Sequence, residues 1–156
     1  MEIHLEKATV NDVDIVYEWF KDATTRKYAF SKGDVSYAEH QIWYLNKLQD
    51  ENSVLFIAKK DEIDVGQIRI DYICEKRAGV ISYSVDKAYR GRGYGKDILT
   101  SAELYLNGNS VWNGDLRELV GRVKKENIPS QKCFEKLGYT KIICKEYIEY
   151  RKQIKK

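Results

Sequence analysis

Proline occurs once in this chain, histidine twice and cysteine three times. Each shortage excludes something. A single proline beside a hydrophobic share of 43% argues against a disordered or linker-rich chain. Cys74, Cys133 and Cys144 are odd in number and lack CxxC spacing. They read as reduced thiols of a cytoplasmic protein, not as a disulfide frame or a zinc site. His4 and His40 are too few and too separated for a histidine metal site, so no metal is expected. No apolar run approaches membrane-spanning length and no signal-peptide pattern opens the sequence, so no membrane partner is expected. A surplus of one charge sign is scarce too. The net charge is +3, with much of the excess in the basic tail 151–156, which reads as a solvated end. Proteins that work mainly on nucleic acid show a stronger, clustered surplus.

What remains suits one domain over residues 1–156 with a real core. Residues 2–8 alternate apolar and polar side chains and predict a strand. Asn11 suits a helix N-cap, with Val13, Val16, Tyr17 and Phe20 at helical spacing behind it. A polar connection over 23–36 leads to an amphipathic helix over 37–50, capped by Ser36 or Asp34. Strands over 53–60, 64–72 and 78–86 follow with short polar links, as an antiparallel meander. Residues 96–109 predict a helix stopped by Gly108, and 117–124 a strand. Residues 129–138 predict a helix that starts at proline and ends at glycine. Residues 139–153 make two last strands or one bent one. The fold class is mixed α/β, in the order β-α-α-β-β-β-α-β-α-β-β.

The stretch YSVDKAYRGRGYGK (83–96) places three of the chain's ten glycines, Gly91, Gly93 and Gly95, at alternate positions. A Walker loop fails here, because Arg90 and Asp97 stand where its first glycine and its Ser or Thr belong. A dinucleotide GxGxxG fails at Lys96 and would expect a parallel βαβ unit. An RG-rich nucleic-acid segment would repeat outside a folded core. The stretch lies between a strand and a helix, and helix starts carry unpaired amides and a positive dipole end. Glycine lets the main chain approach an anion closely, and Arg90, Arg92 and Lys96 add charge. Two readings stand on spacing alone: a pyrophosphate site, or a tight turn with solvated arginines.

Arg90-Gly-Arg-Gly-Tyr-Gly95 resembles the Arg/Gln-x-x-Gly-x-Gly/Ala loop of the GNAT (Gcn5-related) N-acetyltransferases. NIPSQKCFEKLGY (127–139) is similar to that family's Asn-x-x-Ala/Ser segment ending in Gly-Phe/Tyr. The element order resembles that family's fold over nearly the whole chain. The resemblance implies a single-domain GNAT-like sheet whose two parallel central strands, here 78–86 and 117–124, splay around acetyl-CoA. It implies main-chain contacts from Tyr83, Ser84 and Val85 to pantetheine and thioester. It places the diphosphate on Arg90, Gly91, Arg92, Gly93, Tyr94, Gly95 and Lys96, and the cofactor arm near Asn127 and Ser130. The reaction implied is direct attack by a neutral amine, with the Val85 amide stabilising the oxyanion and no metal required.

Many relatives carry tyrosine in the second motif as proton donor to the thiolate, and here Phe134 stands there. Ser130 becomes the candidate donor, ahead of Cys133. His40 is the candidate base, because imidazole titrates near neutral pH, with Asp71 as another. Gln67, Arg69 and Asp71 share a strand face by period-two geometry, and Arg69 and Asp71 are expected to pair.

The acceptor implied is a small-molecule amine. Residues 26–48 with 65–71 resemble a GNAT subgroup acting on nucleotide-linked aminosugars of pseudaminic-acid type. Relatives often carry Trp-Arg-Asn where this chain has Trp19-Phe20-Lys21. Trp43 and Tyr28 are expected wall residues. Protein N-terminal amines, polyamines and a non-catalytic acyl-CoA-binding regulator are the alternatives. Homodimers are common in the family.

Overall fold

The computed structural model describes residues 3–31 and 33–154. Residue 2 of the first predicted strand, and residues 155 and 156 of the basic tail, lie outside them. One seven-stranded sheet runs in the order β1-β2-β3-β4-β5-β7-β6. Its strands are β1 (His4–Lys7), β2 (Ser53–Lys60), β3 (Ile63–Ile73), β4 (Ala78–Val85), β5 (Glu118–Val123), β6 (Thr140–Ile143) and β7 (Ile148–Gln153). The helices are α1 (Val13–Lys21), α2 (Ala23–Tyr28), α3 (Tyr37–Gln49), α4 (Tyr94–Gly108) and α5 (Ile128–Lys136).

Both faces of the sheet are covered, and β2 shows why. Phe56 and Ala58 turn to one core cluster, Leu55 and Ile57 to the other. This alternation follows from strand geometry, and burial on both sides explains the unbroken apolar run in SVLFIAKK. On the first face α4 contributes Ile98, Leu99, Ala102 and Leu106, all nearly free of solvent exposure. Each of the isoleucine and leucine side chains contributes about 1.5–3 kcal/mol by its burial. On the second face Val16 and Trp19 of α1 and Tyr44 of α3 pack on Leu55 and Ile57.

Local signals set the helix starts. Ser36 Oγ accepts from the Glu39 amide and the Glu39 carboxylate accepts from the Ser36 amide, both at 3.1 Å. Such reciprocal caps satisfy two orphan donors. The first cap is Thr9, not Asn11: Thr9 Oγ1 accepts from the Asn11 amide at 3.2 Å, opening a short 3-10 turn before α1. The predicted connection over 23–36 contains α2, whose N-cap is Asp22. Its polar sequence, ATTRKY, hides no buried residue, so periodicity carried no sign of it. The last segment resolves into two strands, β6 and β7, paired antiparallel. Residues 151–153 of the expected solvated tail lie in β7, next to β5.

β4 and β5 run parallel, and their pairing spans only Ala78↔Glu118 to Ile81↔Gly121. Both strands continue beyond that point. The sheet therefore opens into a gap bounded by residues 82–85 and 122–123.

Candidate functional site

β4 leads into the glycine stretch through a 3-10 turn over Lys87–Tyr89, capped by Asp86. Gly91 and Gly93 then take φ of +78° and +84°, the left-handed region that glycine occupies without penalty. Gly93 is the N-cap of α4 and no side chain caps that helix. The amides of residues 91–96 donate no hydrogen bond within the described residues. Nothing lies within 4 Å of the place where a side chain would stand on Gly91 or Gly93. Gly95 differs. A Cβ there would meet Cys133 Sγ at 3.1 Å and the Tyr83 ring at 3.4 Å. Two glycines shape the turn, and the third lets α4 approach α5 and β4.

Arg92, Gly93 and Lys96 of this turn border a hollow of about 360 Å³, lined also by Asp97, Pro129, Lys132, Cys133 and Lys136. Four cations face one carboxylate there. Unpaired amides at a helix start and a cationic wall fit a diphosphate, so the residues present suit coenzyme A.

Arg90 is not part of that wall. Its guanidinium donates to Asp22 at 2.6 Å, to Thr25 at 3.4 Å and, through Nε, to the Val85 carbonyl at 3.1 Å. Burial pushes the Asp22 carboxyl up, but hydrogen bonds from Arg90 and the Thr25 amide outweigh it and hold it below the usual range. The charge expected on the phosphate instead ties the α1–α2 corner to the end of β4. Trp19 Nε1 does the same nearby, donating to Asp86 at 2.8 Å.

The gap itself is built from backbone. The Asp86 amide bonds to the Val65 carbonyl. By antiparallel alternation, Tyr83 and Val85 then turn their amides away from β3. They lie past the end of the β4–β5 ladder. Phe134 fills the foot of the gap, where any side chain on Gly121 would collide with its ring. It stacks on Tyr150 with centroids 5.2 Å apart. Above it, Tyr83 Oη and Ser130 Oγ are 2.9 Å apart. Burial, and then Cys133, push the Tyr83 phenol far above its ordinary value. Asn127 Oδ1 caps α5 by accepting from the Ser130 amide at 3.3 Å.

On the opposite face, Gln67 donates to Ser84 Oγ at 3.1 Å. Asp71 accepts from Lys47, Ser53 and Arg69, each at 2.9 Å. With that many donors it is saturated and no free base, and the expected Arg69–Asp71 pair is present. Arg69 also lies over the Trp43 ring at 5.1 Å. Glu149, 6% exposed, is held by Arg122 and Arg151. Phe30 meets the ring of Tyr147 edge-on at 5.9 Å, and Lys124 donates to the Lys27 carbonyl at 3.2 Å. The end of α2, with Tyr28 half-buried, and the segment after it thus reach across to the C-terminal strands.

His40 is a correction. It is 1% exposed, ringed by Tyr17, Phe20, Trp43 and Tyr44. Burial pushes its imidazole below the ordinary value, against a hydrogen bond to the Val13 backbone that raises it. Its Nε2 has no partner among the described residues. A sealed ring does not meet an acceptor amine.

Sequence reasoning missed Lys132 and Lys136, although Pro129, Lys132, Cys133 and Lys136 recur at i, i+3, i+4 and i+7, one helix face. It also missed the Tyr83 phenol, which no local pattern reveals. Among the described residues no group of three His, Cys, Asp or Glu is placed to hold a metal ion.

The family whose sequence profile matches is described as "Acetyltransferase (GNAT) domain", over residues 2–140. No curated protein sequence matches the chain. Among solved structures, a domain from Methanocaldococcus jannaschii shares 21% identity and a TM-score of 0.79, covering 97% of this chain and 98% of its own. The spermidine N-acetyltransferase of Vibrio cholerae, in complex with coenzyme A and spermine, shares 14% identity and a TM-score of 0.82, covering 98% and 96%. A ribosomal α-N-protein acetyltransferase in complex with coenzyme A shares 15% identity and a TM-score of 0.82, covering 99% and 95%.

Proposed function

The chain belongs to the GNAT acetyltransferase family, with acetyl-CoA as acyl donor, and on that premise we propose that it acetylates the primary amine of a nucleotide-linked aminosugar in the cytoplasm. One observation carries the donor half: the turn with unpaired amides at residues 91–96 borders, through Arg92, Gly93 and Lys96, a hollow also lined by Lys132 and Lys136. The bound donor supplies an activated acetyl thioester. The chain's residues hold its diphosphate, seat its arm in the β4–β5 gap and aim the Val85 amide at the thioester oxygen. A fixed dipole there stabilises developing negative charge without reorganising. Holding amine and thioester together supplies much of the remaining acceleration. Ser130 donates a hydrogen bond to the departing sulfur.

The acceptor face supports an anionic substrate over a polyamine. Two of its carboxylates, Asp71 and Glu149, are each paired with two cations, Lys47 with Arg69 and Arg122 with Arg151. A polyamine site requires uncompensated carboxylates, whereas a nucleotide diphosphate does not.

Thiol release from acetyl-CoA tests this, with a nucleotide-linked aminosugar, spermine, an aminoglycoside and a peptide bearing a free N-terminus as acceptors. The aminosugar is expected to give the highest kcat/KM. Preference for spermine or the peptide would overturn the acceptor, and tight CoA binding without turnover on any amine would favour a regulator.

A further inference from the structure

The usual tyrosine of the second motif is absent, yet a phenol stands beside the second motif's serine, delivered from another element. Tyr83 projects from β4 toward α5, and its Oη lies 2.9 Å from Ser130 Oγ. Gly95 leaves the room for it, since a Cβ there would lie 3.7 Å from this Oη. The Phe134 ring packs edge-on against it at 6.0 Å. We propose that Tyr83 is a positioning residue for acetyl transfer, donating its phenolic proton to Ser130 Oγ so that the serine's own proton points at the leaving sulfur. This rests on the reading of Ser130 as hydrogen-bond donor.

The chemistry follows from donor strength. A phenol is a far better donor than an aliphatic alcohol, so in this pair the proton lies on the Tyr83 side. With one lone pair occupied, the serine hydroxyl is fixed in rotation and polarised, which strengthens its outgoing bond. During transfer a C–N bond forms, the C–S bond breaks and its electron pair goes to sulfur. The nascent thiolate accepts from Ser130. The proton lost by the attacking nitrogen balances the one that coenzyme A takes from solvent on release. Tyr83 stays protonated throughout, as burial demands.

The test needs no acceptor. Coenzyme A bound to the protein is titrated, with thiolate formation followed by ultraviolet absorbance. The wild type is expected to hold the thiol pKa about one pH unit below that in Ser130→Ala and in Tyr83→Phe. The Ser130→Ala, Tyr83→Phe double variant is expected to match Ser130→Ala, because the phenol acts only through the serine. Replacement of Tyr83 by 3-fluorotyrosine, which keeps ring and packing, is expected to lower the thiol pKa further. With a turned-over amine, Tyr83→Phe is expected to lower kcat about tenfold and leave KM for acetyl-CoA within twofold.

A wild-type shift lost in Ser130→Ala but kept in Tyr83→Phe would overturn the role of Tyr83 and leave Ser130 standing. No shift in Ser130→Ala would remove the reading beneath both, and failure of coenzyme A to bind would remove the donor site. Should Tyr83→Phe not fold, an unchanged titration with 3-fluorotyrosine overturns the proposal by itself.

Discussion

The Arg90 guanidinium lies 2.6 Å from the Asp22 carboxylate, closing the glycine turn onto the first helical corner. Both groups are partly withdrawn from water, at 32% and 15% side-chain exposure. Asp22 also caps α2 through the Thr25 amide at 3.0 Å. Asp22→Ala removes cap and pair together and is expected to cost about 1–3 kcal/mol in urea denaturation. The carboxyl is held below its ordinary value, so its stabilisation is present above about pH 4, its range when unfolded. It is lost as pH falls through the lowered folded value. Wild type and Asp22→Ala should therefore converge in stability at acid pH, and a constant difference would remove the ionic account.

Gly93 tests the phosphate turn. At φ +84° a valine is strained by about 1–2 kcal/mol, which a folded protein tolerates. Its side chain would stand where the unpaired amides meet the diphosphate. Gly93→Val is expected to weaken coenzyme A binding at least tenfold in calorimetry while the far-ultraviolet spectrum is retained. Equal affinity in the folded variant would disprove the contact.

The cationic hollow predicts a salt effect. Lys132→Glu and Lys96→Glu are each expected to weaken acetyl-CoA binding about tenfold at low ionic strength. The deficit should shrink at 1 M salt, where exposed charges interact over only about 3 Å. A salt-independent loss would indicate altered packing instead.

Gly121 is held by shape. Any Cβ at this position collides with the Phe134 ring, and overpacking of this kind costs about 1–3 kcal/mol. Gly121→Ala is expected to lower Tm, with partial recovery in the Gly121→Ala, Phe134→Leu pair. Additive losses in the double variant would refute the clash.

His40→Phe separates core from catalysis. The imidazole has a lowered folded pKa, so its neutral form is fully accommodated above about pH 6.5, its unfolded value. Stability falls as pH drops from there through the folded value. The phenylalanine variant should flatten that slope between pH 7 and 5 and keep turnover within a few fold. Loss of turnover in a stable His40→Phe protein would restore the ring as base.

The glycine run, the strand meander and the α5 start were legible because each has a short-range cause: left-handed turns, alternation, and Asn127-Ile-Pro129 at a helix opening. α2 was not, since its six mostly polar residues bury nothing and are held by Asp22 and its bond to Arg90, 68 positions away. His40 misled for the same reason. Its charge chemistry is local, whereas its burial comes from α1 packing on α3. The Tyr83–Ser130 pair spans 47 positions and joins two elements whose approach is set by Gly95, a consequence of tertiary packing that no window of sequence contains.

The parallel ladder between β4 and β5 holds four residue pairs, and in the sheet it is the strand pairing that joins the first four strands to the last three. A donor lying in the gap beyond that ladder would act as a clasp, so that protection of the β5–β7 amides from deuterium becomes a gauge of occupancy in a region remote from the phosphate turn.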